Sequence, residues 1–120
     1  MEISEIVNLQ KQFDQQHGWD LKTEKTSEKL NLITKDLVGI MGELGEFSNL
    51  VKKLNLLSDI SLETEISTEF KSLTPQLKEE LIDTFIYLIR ISSHLEMDLS
   101  EEYIKKYTIN KERFRKYENK

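Results

Sequence analysis

The chain has 120 residues, 38% of them hydrophobic and 32% charged, with a formal net charge of −5 and no cysteine. That length suits a single domain over residues 1–120, and the lack of cysteine excludes disulfides and thiolate metal sites. An acidic balance argues against nucleic acid as a partner, because a protein that grips a phosphate backbone carries a basic face, and here the basic residues gather only from Lys105 onward.

Four helices are predicted. The first covers residues 4–16, with Ile6, Val7, Leu9 and Phe13 on an apolar stripe and Gly18 as its stop. A polar connection over residues 19–26 leads to a second helix over residues 27–54. There Leu30, Ile33, Leu37, Ile40, Leu44, Phe47, Leu50 and Leu54 recur at helical spacing. Residues 55–73 are interrupted by Ser61, Thr64, Ser67, Thr68 and Ser72, and read either as a short helix around residues 62–70 or as a mobile segment. Thr74 followed by Pro75 reads as an N-cap with proline in the first turn, opening a third helix to about residue 96. From Leu77 to Ile89 this helix is apolar nearly all round and is expected to be largely buried. Ser100, followed by Glu101 and Glu102, reads as the N-cap of a fourth helix ending near Tyr117.

The fold class expected is therefore all-α, resembling a four-helix bundle with two long central helices. No stretch approaches the ~20 apolar residues of a membrane span, and residues 1–11 lack the apolar run of a signal peptide, so no membrane partner and a cytoplasmic location are expected. Two long apolar helices in so short a chain leave surface to cover, which points to a homodimer or homotetramer.

Chemistry concentrates in two acidic motifs, Glu43-Leu44-Gly45-Glu46 on the second helix and Glu80-Leu81-Ile82-Asp83 on the third. Residues three apart are neighbours on one helix face, so each motif aims two carboxylates the same way. Like charges that close are unfavourable unless a cation sits between them, and magnesium, which prefers oxygen ligands, suits the set. Ordinary ion pairs or solvation are the competing explanation, although on the third helix only Lys78 and Arg90 stand near enough to serve. Gly39, Gly42 and Gly45 recur every three residues beside the first motif; each costs about 1 kcal/mol against alanine in a helix, so either another helix or a ligand comes close there. Tyr87 shares the face of Glu80 and Asp83, as a border to a base or as a core aromatic. His17 and Trp19 follow the first helix and could stack on a base or close the core. Lys105, Lys106, Lys111, Arg113, Arg115 and Lys116 populate the last helix, where they could neutralise a triphosphate or simply be solvated.

These stretches, Gly42 to Phe47, Glu79 to Asp83 with Phe85-Ile86-Tyr87-Leu88, and Lys106 to Asn110 with Arg113-Phe114, resemble the MazG-like, all-α nucleoside triphosphate pyrophosphohydrolase superfamily. His17-Gly18-Trp19-Asp20 is similar to the N-terminal segment of small members. The resemblance covers most of the chain outside residues 55–73. It implies that Glu43, Glu46, Glu80 and Asp83 bind Mg2+, with Mn2+ as a possible substitute, and are the catalytic carboxylates. It also implies hydrolysis between the α- and β-phosphates of a nucleoside triphosphate, in house-cleaning of non-canonical nucleotides or on a dCTP-like substrate. The same likeness gives His17, Trp19, Tyr87, Lys106 and Asn110 substrate-contacting roles. Asn49 departs from the pattern, since many members carry another acid there. The alternatives are a nucleotide-binding module without turnover and a helical oligomerisation module.

Overall fold

The computed structural model describes residues 1–19 and 22–119; Asp20, part of the motif at His17, lies outside them. Four α-helices are present among the described residues: α1 (Ile3–Gln16), α2 (Thr26–Ser58), α3 (Glu63–His94) and α4 (Leu99–Arg113), followed by a short 3-10 turn, Arg115–Tyr117. No described residue is in a strand, and no described helix is long and apolar enough to cross a membrane. The chain divides into two compact units, residues 23–91 and a terminal unit made of 1–22 and 92–120.

The unit over residues 23–91 is built on α2 and α3. Leu50, Leu54 and Leu77 form its buried centre, with Phe47, Val51, Ile66 and Leu73 packed against them. Gly39 meets Tyr87 at one end, and Leu54 meets the residues around Leu73 at the other, so the two helices run antiparallel. Apolar residues at the helical period on both elements make this pairing favourable, at roughly 25 cal/mol per Å² of apolar surface removed from water.

Two sequence expectations fail here. The third helix does not begin at Thr74: α3 starts eleven residues earlier and runs through Pro75. Thr74 is no cap, because its hydroxyl donates to the carbonyl of Phe70 at 2.6 Å, within the helix. Proline removes one ladder hydrogen bond, but Ile66 and Leu73 before it and Leu77 after it share one core, and that burial carries the helix through. Residues 55–73 are accordingly helical for most of their length, with only a short link between Ser58 and Glu63. Nor is α3 wholly buried. Leu81, Ile82 and Leu88 are 50%, 58% and 49% exposed, since α2 covers only one side.

In the terminal unit α1 packs on α4. Gly18, at φ +71°, ends α1 in the left-handed region that glycine adopts without strain. Asp14 is buried and accepts a hydrogen bond from Gln10 Nε2 at 2.9 Å. The cap of α4 is Asp98, not Ser100: its carboxylate accepts from the Glu101 N–H at 3.0 Å. Both residue types cap well, and sequence alone does not separate two candidates two residues apart.

Candidate metal centre

The antiparallel register of α2 and α3 brings the two acidic motifs together. Glu43, Glu46 and Glu80 each offer a carboxylate oxygen, and these oxygens lie within 4.8 Å of one another. Glu43 is half-buried, Glu46 exposed and Glu80 buried, so the cluster runs from the helix interface out to water. Asp83 is half-buried one turn beyond Glu80, outside that group of three.

Glu80 is the centre of the electrostatics. It is only 7% exposed, and its Oε2 atom is buried without a hydrogen-bond partner. Thr84, the nearest buried hydroxyl along α3, donates to the Glu80 carbonyl at 2.9 Å. The acid is pushed up to about 8 from an ordinary 4.5. A hydrogen bond with Glu43 contributes most, followed by loss of water and then by hydrogen bonding and charge from Glu46. Without a cation, then, the surroundings of Glu80 favour its protonated form. A buried polar oxygen with no partner is costly, and a divalent ion would satisfy it while replacing that proton. The donors are all hard carboxylate oxygens, which fits magnesium or manganese and not a soft, thiolate-seeking metal.

Gly39 explains how the helices come close enough. A Cβ at this position would stand 2.5 Å from Cε1 and 2.8 Å from Cε2 of Tyr87, so only glycine admits the ring. The arginine of the next turn, Arg90, places its guanidinium carbon 5.4 Å from the centre of the same ring. Tyr87 is thus a half-buried interhelical contact four residues after Asp83. The regular glycine spacing signals one such approach and misleads about the others, because the space around Gly42 and Gly45 is open.

The remaining sequence candidates belong to the terminal unit. His17 and Trp19 are exposed and stacked, with ring centroids 4.9 Å apart. His17 Nδ1 lies 2.7 Å from the Phe13 carbonyl, and the Phe13 ring is 4.2 Å from that of His17. Lys106 is exposed on α4, and Asn110 is half-buried on the same helix. Comparison with protein-family models, with curated proteins and with solved structures finds no match for this chain.

Proposed function

We propose that this chain is a magnesium-dependent nucleoside triphosphate pyrophosphohydrolase of the MazG-like kind. One observation carries the reading: three glutamates from two helices converge within 4.8 Å, and the buried one has an oxygen with no partner. The motif resemblance supplies the reaction. Glu43, Glu46 and Glu80 would hold the ion, and the motif resemblance adds Asp83, one turn beyond Glu80, to the set; Mn2+ would substitute for Mg2+. The chemistry that magnesium supplies when bound is neutralisation of charge on the phosphates and on the leaving pyrophosphate.

Glu46, the exposed member, orients or deprotonates a water molecule. The water oxygen bonds to the α-phosphorus as the bond to the α–β bridging oxygen breaks, leaving a nucleoside monophosphate and pyrophosphate. By the same motif resemblance Tyr87, in the unit that carries the acidic cluster, would contact the substrate.

A panel of canonical and modified nucleoside triphosphates, assayed for pyrophosphate, tests this. Release from at least one nucleotide should require magnesium and fall at least a hundredfold in Glu46→Gln, with the helical CD signal intact. Equal release by variant and wild type would reject the assignment. A second reading, a nucleotide-binding module without turnover, draws on Asn49 in place of an acid and on Asp83 outside the triad. Saturable binding of a nucleotide with no product would select it.

A further inference from the structure

Gly39 and Tyr87 stand in step with the acidic motifs. On α2, Gly39, Glu43 and Glu46 follow one another by four residues and then three. On α3, Tyr87, Asp83 and Glu80 show the same spacing in reverse order. Steps of four and three keep each set on one helix face. In an antiparallel pair, a Tyr87 ring lying against Gly39 therefore brings Asp83 level with Glu43 and Glu80 level with Glu46. The contact belongs to this glycine alone among the three on α2. Built at Gly39, a Cβ would stand 2.5 Å from Tyr87 Cε1, whereas Gly42 and Gly45 face open space. Arg90 holds the same ring from its own helix, with its guanidinium carbon 5.4 Å from the ring centre.

The apolar core does not set this register by itself. Leu50 and Leu54 are four residues apart, and so are Leu73 and Leu77, so a four-residue slip would pair leucine with leucine again. The same slip would set the Tyr87 ring on Lys35 or Glu43, where a side chain stands in its way. It would also carry Glu80 about 6 Å along α2, farther than the 4.8 Å that gathers the three acids. We infer that Tyr87 is a positioning residue: its ring, seated on Gly39, fixes the α2–α3 register in which Glu80 meets Glu43 and Glu46. The inference rests on the metal reading above and gives part of the work to a residue outside the ligand set.

Calorimetric titration of the full chain with Mn2+ tests it, alongside nitroxide spin labels at Lys35→Cys and Gln76→Cys as a metal-free ruler. The chain has no other cysteine, and both positions are exposed within the unit over residues 23–91. Tyr87→Phe keeps the ring and should bind Mn2+ within twofold of wild type. Gly39→Ala, and Tyr87→Leu, which adds no clash, should each bind at least tenfold more weakly with helical CD retained. In both, the label distance should shift or broaden by at least ~1.5 Å, the rise of one residue. Leu73→Ala loosens the core away from the ring. It should lower the urea midpoint yet leave affinity and label distance unchanged. Wild-type affinity and an unchanged label distance in Tyr87→Leu would overturn the inference and leave the metal reading standing. A wild-type chain that binds no Mn2+ would overturn the metal reading instead, and the label distance alone would then decide whether Tyr87 sets the register.

Discussion

At Glu80 a buried carboxyl shares its surroundings with two other acids, and the cost of ionising it sets how the protein responds to pH. Its value is raised from 4.5 to about 8, so between those limits the folded chain holds a proton that the unfolded chain has released. Stability falls with rising pH wherever the folded state binds more protons. Metal-free protein should therefore be most stable near pH 5 and lose stability progressively up to about pH 8. Glu80→Gln keeps the neutral form at every pH and should flatten that dependence in thermal melts, while abolishing any magnesium-induced rise in the midpoint. A wild-type profile with no slope between pH 5 and 8 would contradict the clustering. Gly39 supports a second test at this scale. Gly39→Ala places a methyl inside the Tyr87 ring contact and should destabilise by about 1–3 kcal/mol in urea denaturation, even after the gain in helix propensity. Gly42→Ala meets open space and should stabilise by up to ~1 kcal/mol.

Among the elements, α3 supports the sharpest prediction. Because it passes through Pro75 unbroken, Pro75→Ala restores a ladder donor in a helix interior and should stabilise by about 1–2 kcal/mol. If a helix began at Thr74, the same change would be neutral or destabilising. For α4, Asp98→Ala should cost about 1 kcal/mol and Ser100→Ala close to nothing. Much of this architecture was legible in the sequence. The repeat of Leu30 to Leu54 placed α2, and the Glu-x-x-Glu and Glu-x-x-Asp spacing put each pair of acids on one helix face. Less legible was anything that depends on the partner helix. Local propensity at Ser61, Thr64, Ser67 and Ser72 conceals a helix that Ile66, Leu73 and Leu77 make favourable only by packing on Leu50 and Leu54. Similarly, spacing along α3 treats Glu80 and Asp83 alike. The register against α2 decides that Glu80, and not Asp83, joins Glu43 and Glu46.

For the whole molecule, a chain of net charge −5 that draws three acids together spends stability at one point, and a divalent cation would return it. Magnesium at millimolar concentration should raise the thermal midpoint of wild type, more at pH 8 than at pH 6, because at the lower pH the ion must first displace the Glu80 proton. Calorimetric titration of Mn2+ or Mg2+ at pH 7, repeated in buffers of different ionisation heat, measures ion and proton together. Saturable binding with release of about one proton per ion, abolished in Glu80→Gln, is the result expected of three glutamates sharing one cation. Binding that is absent in wild type, or unchanged in affinity and proton release in Glu80→Gln, would contradict it.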